Sequence, residues 1–171
     1  MNHTLTAKAT VTVRHDRAYD FDEDRGIWLY RRGEDEKANN ILTNVGRVTL
    51  HTFIYGNSAQ RAAASLGTGM HFIGLSDDSA PPVAGDTALA GELTGSGLGR
   101  VEGSVTLPTG SGTITSIQNE FTYTGGAPQG VQKTALFDAA SAGNMCHEIL
   151  FTQRSLAVND TLTLTFNITL T

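Results

Sequence analysis

The most metal-like string in the sequence is an acidic run at residues 20–26, Asp-Phe-Asp-Glu-Asp-Arg-Gly. Carboxylates at alternate positions resemble the start of a calcium-binding loop, in which hard oxygen ligands converge on the ion. The pattern then fails, because Arg25 stands where such a loop needs its turn glycine and Arg31 stands where it needs its closing glutamate. We therefore predict a solvated acidic loop and no metal site.

The other residue types that could do chemistry are scattered along the chain. Cys146 and His147 are adjacent but lack the second cysteine that a zinc site of this type needs. Ser96 lies between two glycines, but Thr94 occupies the first glycine position of a nucleophile elbow. No glycine-rich loop runs into the Gly-Lys-Ser/Thr string of a phosphate loop. The five histidines occur singly: His3, His15, His51, His71 and His147.

These patterns predict no catalytic residue, no cofactor and no enzymatic activity. A hydrolase stays open as an alternative, because glycoside hydrolysis depends on the spatial separation of two carboxylates, which a sequence does not display.

Composition excludes several classes of protein. The 171 residues carry a formal net charge of −5, which disfavours a nucleic-acid binder, because phosphate affinity depends on clustered lysine and arginine. No apolar run approaches the roughly 18 residues of a membrane span. Charged residues make up 17% of the chain and hydrophobic residues 39%, a balance that favours a folded domain over disorder. We expect no nucleic-acid partner and no membrane partner.

Charge is concentrated in one segment, residues 14–37, which holds 14 of the 29 charged residues. Its apolar centre, residues 27–30, predicts a brief strand flanked by charged loops. Trp28 and Tyr30 would share one face of that strand. The segment is interpreted either as a solvated loop with one anchoring aromatic or as an N-terminal charged arm that docks on a neighbouring subunit. The candidate interface residues on this second interpretation are Trp28, Tyr30, Arg31 and Arg32.

Elsewhere the sequence predicts mainly β structure. Seven or eight alternating segments separated by Gly, Pro, Ser and Asn turns are typical of an antiparallel β-sandwich or jelly roll. The clearest is at residues 162–170, where five apolar residues alternate strictly. A period slip between Ile114 and Phe121 suggests a β-bulge. Apolar spacing predicts one short helix within residues 37–55. The domain prediction is an N-terminal strand and charged arm at 1–37, followed by the sandwich domain at 38–171.

Several strings resemble small structural proteins of tailed-bacteriophage virions, which include head decoration (cement) proteins and tail-associated β-proteins. The resemblance covers residues 40–171, leaves out the charged arm, and consists of turn and strand residues rather than chemical motifs. The strings that carry it are ILTNVGR at 41–47, FIGLS at 72–76, APPVAGDTALAGEL at 80–93, ALFDAA at 135–140 and VNDTLTLTF at 158–166.

The resemblance implies a non-enzymatic virion protein that assembles as a homo-oligomer, most simply a trimer. Its expected role is capsid decoration, in which it binds the major capsid protein and stabilises the assembled head. Its expected location is the virion, after synthesis in the cytoplasm of the host bacterium. A tail-associated structural protein and a carbohydrate-binding adhesive module, which would use Trp28 for stacking, are the alternatives.

Overall fold

A computed structural model describes residues 7–23, 25, 27–39, 41–46, 48–49, 69–109 and 114–170. Within these ranges the chain forms eleven strands. In chain order they are β1 (Ala7–Asp22), β2 (Ile27–Arg31), β3 (Glu36–Asn39), β4 (Ile41–Leu42), β5 (Phe72–Ser76), β6 (Val101–Glu102), β7 (Ser104–Thr106), β8 (Ile114–Thr122), β9 (Gln129–Phe137), β10 (Met145–Leu156) and β11 (Thr161–Leu170).

The strands form two antiparallel sheets. The first has the order β2-β1-β11-β8-β7, with β3 also paired to β1, and the second has the order β4-β10-β9-β5-β6. The longest ladder joins β1 to β11, from Ala7 opposite Leu170 to Asp16 opposite Thr161. The first and last described strands are therefore central neighbours in one sheet.

One core cluster lies between the two sheets. Val11, Leu164 and Phe166 enter it from the first sheet, and Ile73 and Ile149 enter it from the second. All five are fully buried. Along β11 and β8, alternate residues face this cluster, as expected when one face of an antiparallel sheet covers a core. The predicted β-sandwich class, mainly β with antiparallel sheets and one short helix, is confirmed.

The helix prediction is wrong in its first part. Residues 36–39 form β3 and residues 41–42 form β4, and helical structure begins only at residue 44. Pairing of β3 with β1 and of β4 with β10 outweighs the weak helical periodicity of this stretch. Residues 50–55 of the predicted helix lie outside the described residues. Within the described part of the chain, no helix has the length and apolar character needed to cross a membrane.

The start of this helix is fixed by contacts with β10. The Thr43 hydroxyl accepts a hydrogen bond from the Gly46 N–H at 2.9 Å, the geometry of an N-cap, and donates to the Met145 carbonyl at 2.6 Å. A Cβ at position 46 would lie 2.2 Å from the Cys146 carbonyl oxygen. Glycine at this position therefore allows the helix to lie directly against the strand.

The predicted bulge in β8 is also absent. β8 pairs with β11 in unbroken register from Ile114 to Thr122. The apparent slip arises because Ile114 is exposed on the outer face, whereas Ile117 and Phe121 are buried on the inner face.

Gly46→Ala should destabilise the fold by about 1–3 kcal/mol, the usual cost of forcing extra volume into a packed site. This loss should appear although alanine is the better helix former by about 1 kcal/mol. Urea unfolding followed by circular dichroism measures it. Gly126→Ala is the matched control, because a Cβ there meets nothing within 4 Å. Equal stabilities for the two variants would contradict the close helix–strand approach.

Candidate functional site

The β1–β2 hairpin is the part of the first sheet that extends past its neighbour. Pairing of β1 with β11 ends at Asp16, and β1 then continues from Arg17 to Asp22 paired only with β2. The register shifts between Ala18 and Asp20, which is a β-bulge in the hairpin. The brief strand predicted around residues 27–30 is confirmed as β2.

This hairpin carries an exposed apolar surface. Phe21, Ile27, Trp28 and Tyr30 each expose 40–47% of their surface. Phe21 and Trp28 are cross-strand partners, with ring centroids 5.2 Å apart, and Tyr30 follows two residues later on the same face. Among the described residues, the exposed large aromatic side chains all lie on this hairpin. Trp28 and Tyr30, the predicted interface residues, therefore share one exposed aromatic face.

The other two predicted interface residues, Arg31 and Arg32, lie at the base of the hairpin. There they line a surface pocket of about 320 Å³ together with Arg17 and Arg154. We call these four residues and the space between them the arginine pocket. Arg17 and Arg31 are direct cross-strand partners, a placement of like charges that destabilises a sheet.

A buried carboxylate fixes the point where β1 leaves β11. Asp160 Oδ2 lies 2.9 Å from His15 Nε2 and accepts the Ala157 N–H, and Oδ1 accepts the Ala18 N–H at 2.9 Å. Because an ionised carboxylate only accepts hydrogen bonds, His15 Nε2 carries the proton of this contact. Asp160 thereby joins the turn before β11 to His15 and Ala18. These two residues lie on either side of the point where β1 leaves β11 and enters the hairpin.

The returning chain is held by a second set of contacts. The Gly33 N–H donates to Asp16 Oδ1 at 2.9 Å, and a Cβ on Gly33 would lie 2.0 Å from the His15 carbonyl oxygen. Glu36 then accepts hydrogen bonds from the Thr152 N–H and from Arg154, at 2.8 and 2.7 Å. These bonds join the first sheet to β10 of the second.

The charged segment 14–37 is therefore divided between two environments. Its ends belong to the sandwich, since His15 and Asp16 are buried and Glu36 pairs with β10. Its middle forms the hairpin. The predicted domain boundary between residues 37 and 38 falls inside β3, which is hydrogen-bonded to β1.

The acidic run that resembled a calcium loop has local structural roles where it is described. Asp20 accepts the Phe21 N–H, and Asp22 accepts the Arg25 N–H and lies 3.6 Å from the Arg25 guanidinium. Asp24 lies outside the described residues. Among the residues that are described, no three His, Cys, Asp or Glu side chains are placed to hold a metal ion together.

A second charged cluster lies on the second sheet, around Lys133 of β9 and Glu148 of β10. Lys133, 2% exposed, bonds to Asp78 and lies 3.4 Å from Glu148 Oε1. Burial alone would lower the pKa of Lys133, but the bond to Asp78 and the charge of Glu148 outweigh it and raise that pKa. The same bond lowers the pKa of Asp78. The lysine is therefore held in its charged form as a structural ion.

The pKa of Glu148 is raised and the pKa of His147 is lowered. Burial, reinforced by the neighbouring carboxyl of Asp86, raises the pKa of Glu148 to about 7. Glu148 Oε2 is buried with no N–H or O–H donor among the described residues, so a proton on Glu148 lets it donate to Asp86. Burial lowers the pKa of His147 to about 4. Both side chains are therefore neutral over part of the acid range.

Sequence reasoning missed three residues that shape the hairpin base, namely Arg17, Arg154 and Asp160. The sequence predicted only a turn at Asp160. Arg154 lies more than 120 positions from Arg31 along the chain. No local pattern signals a pocket assembled from residues so far apart.

Comparisons with known proteins found no counterpart: no protein-family model, no curated protein and no solved structure matches the chain.

Replacing Glu148 by Gln should change how stability depends on pH. Because its pKa is raised on folding, Glu148 adds to the free energy of unfolding of the wild type. This contribution is fully present below about pH 4.5 and is lost as the pH rises to about 7. The contribution of neutral His147 runs the other way, being present above about pH 6.5 and lost toward pH 4. In the wild type, the pH dependences from Glu148 and His147 oppose each other. In Glu148→Gln only the contribution of His147 remains, so the free energy of unfolding should rise with pH.

Urea unfolding at intervals from pH 4.5 to 7.5 measures this. The stability of the wild type relative to Glu148→Gln should fall with rising pH, by at most about 1.4 kcal/mol per pH unit. The exposed Glu23→Gln serves as the control and should track the wild type. Parallel curves for wild type and Glu148→Gln would show that Glu148 titrates normally.

Asp160→Ala should loosen the hairpin base. It leaves the Ala18 and Ala157 N–H groups without an acceptor, so we expect a loss of about 2–4 kcal/mol. Trp28 is the single tryptophan, so its fluorescence reports the hairpin while circular dichroism reports the sandwich. The fluorescence transition should begin at lower urea than the dichroism transition. Asp35→Ala, which removes an exposed carboxylate 3.8 Å from Arg32, is the control and should change neither.

Proposed function

We propose that this chain is a structural protein of a tailed-bacteriophage virion, and that it decorates the assembled head as a homo-oligomer, most simply a trimer. In this role it binds the major capsid protein and stabilises the shell, because a ligand that binds only the assembled state shifts the equilibrium toward it. The protein would be made in the cytoplasm of the host bacterium and would act in the virion. The resemblance of residues 40–171 to such proteins supports this class.

The single observation that carries the assembly role is the exposed aromatic face of the β1–β2 hairpin. Phe21, Trp28 and Tyr30 form one apolar surface beside the arginines of the hairpin base. Tryptophan, tyrosine and arginine are the residue types enriched where protein interfaces derive most of their binding energy. We infer that this face contacts a neighbouring subunit.

The free edge of the first sheet offers a second contact. β7 is the outermost strand there, and Val105 and Leu107 at this edge are exposed. Exposed edge strands are ready sites for association between chains. The hairpin and the β7 edge lie at opposite ends of the sheet order, so each subunit presents two distinct apolar surfaces. Such a pair suits contacts with different neighbours, as a ring or a shell requires.

Trp28→Ala should weaken assembly while leaving the fold almost unchanged. Truncation of an interface aromatic commonly costs 2 kcal/mol or more of binding energy. Loss of a cross-strand pair with Phe21 costs only about 0.2–1 kcal/mol of folding energy. Light scattering at tens of micromolar measures the oligomer, and co-sedimentation with assembled heads lacking this protein measures particle binding. Val83→Ala, which truncates an exposed side chain in the loop between β5 and β6 of the second sheet, is the control.

Four outcomes would redirect the assignment. A monomer that does not sediment with heads would contradict decoration, and sedimentation with tails instead would make it a tail-associated structural protein. Glycan binding that disappears in Trp28→Ala would favour a carbohydrate-binding module. A large drop in the melting temperature of Trp28→Ala would show that Trp28 belongs to the core.

A further inference from the structure

We propose that the arginine pocket is a binding site for a divalent tetrahedral oxyanion, of the phosphate or sulfate class. This proposal goes beyond the assembly role and does not depend on it. It rests on three observations made on the described part of the chain: the lining of the pocket, two arginines in it that have no ion pair there, and one buried N–H that has no acceptor there.

The first observation is the concentration of positive charge in an acidic protein. Arg17, Arg31, Arg32 and Arg154 line one pocket, with Glu34 as the carboxylate in its lining, while the whole chain carries a net charge of −5. Guanidinium groups present planar sets of N–H donors that match the oxygens of phosphate and sulfate. The chemistry of the lining therefore selects an oxyanion.

The second observation is that Arg17 and Arg31 have no counter-charge. Neither makes an ion pair or a side-chain hydrogen bond within the described residues, although they stand directly opposite each other across β1 and β2. Two uncompensated guanidiniums facing one pocket repel each other. An ion of charge −2 between them removes that repulsion and replaces it with two attractive contacts.

The third observation is the Nε–H of Arg154. Its guanidinium is bound to Glu36 through one terminal nitrogen, but the Nε atom is buried and has no hydrogen-bond partner among the described residues. Buried donors are nearly always satisfied, and an unsatisfied one indicates an ion or water that completes it. Arg154 lines the pocket, so a small shift of its guanidinium toward a bound oxyanion would bring this N–H within reach of an acceptor.

The pocket is also held ready for its ligand. Its volume of about 320 Å³ far exceeds the roughly 10–15 Å³ that a single water needs. The backbone around it is fixed by the Gly33–Asp16 and Glu36–Thr152 hydrogen bonds. Arg32 adds a cation whose own pair with Asp35, at 3.8 Å, is exposed and therefore weak. Because the backbone is already ordered, binding costs ordering entropy only in the arginine side chains.

Isothermal titration calorimetry of the full chain with inorganic phosphate tests the proposal, at pH 7.5 and with ionic strength held constant by NaCl. We expect saturable binding of one phosphate per chain and a higher melting temperature. Arg17→Gln and Arg31→Gln should each weaken phosphate binding at least tenfold. Without phosphate, both variants should melt no lower than the wild type, because each relieves repulsion.

Arg25→Gln is the matched control, because Arg25 lies on the same hairpin, outside the pocket lining, and pairs with Asp22. It should bind phosphate as the wild type does. Sulfate should compete with phosphate, and acetate, with a single charge, should bind at least tenfold more weakly. Phenyl phosphate tests whether the ligand is a phosphate ester or the free ion. If it binds as tightly as inorganic phosphate, the site accepts a terminal phosphate ester, and if it does not bind, the site takes only the free ion.

Several results would overturn the proposal. One is a response to phosphate that never saturates, or that NaCl at equal ionic strength reproduces. Another is an equal loss of binding in Arg25→Gln, which would indicate a diffuse charge effect. A single-stranded oligonucleotide that binds more tightly than phosphate would show that the arginines follow a nucleic-acid backbone instead.

Discussion

The carboxylate of Asp160 holds together three parts of the chain that would otherwise separate at the end of the first sheet. It binds His15 in β1, the Ala18 N–H at the start of the hairpin, and the Ala157 N–H in the turn before β11. β1 loses β11 as a partner at this point, so its backbone groups need another source of hydrogen bonds. Because Asp160 supplies one, β1 continues past the sandwich in a fixed direction. The position of the aromatic face and of the arginine pocket follows from this one buried contact.

The sandwich and the hairpin differ in how they place apolar and charged side chains. The sandwich buries aliphatic and aromatic side chains from both sheets, and its buried lysine, Lys133, is paired with Asp78. The hairpin does the opposite, since its aromatic side chains are exposed and two of its arginines, Arg17 and Arg31, have no ion pair with any described residue. A surface that costs stability in the isolated chain is retained when something else covers it. This contrast favours a role in binding for the hairpin over a role in folding.

The sequence predicted the fold wherever a strand has one buried face. The alternation at residues 162–170 predicted β11, because Leu162, Leu164, Phe166 and Ile168 pack in the core. The same logic failed at residues 37–42, where a weak helical period was overridden by pairing with distant strands. At the candidate site, Trp28, Tyr30, Arg31 and Arg32 were predicted as a group because they are neighbours in sequence. Arg154 and Asp160 were not, because their roles come from contacts across more than 100 residues of chain, which no local pattern encodes.

The two ends of the candidate site differ in what they require of a partner. The aromatic face needs only an apolar surface of matching shape, so its binding should depend weakly on salt. The arginine pocket needs negative charge, so its binding should weaken as ionic strength rises. The aromatic face and two arginines of the pocket, Arg17 and Arg31, lie on one hairpin whose base is clamped by Asp160 and by the Gly33–Asp16 bond. An oxyanion that removes the repulsion between Arg17 and Arg31 would therefore also stiffen the hairpin that presents Trp28 and Tyr30. If an oxyanion binds at the base and a subunit docks on the aromatic face, the two events would act on the same pair of strands, and each would then strengthen the other.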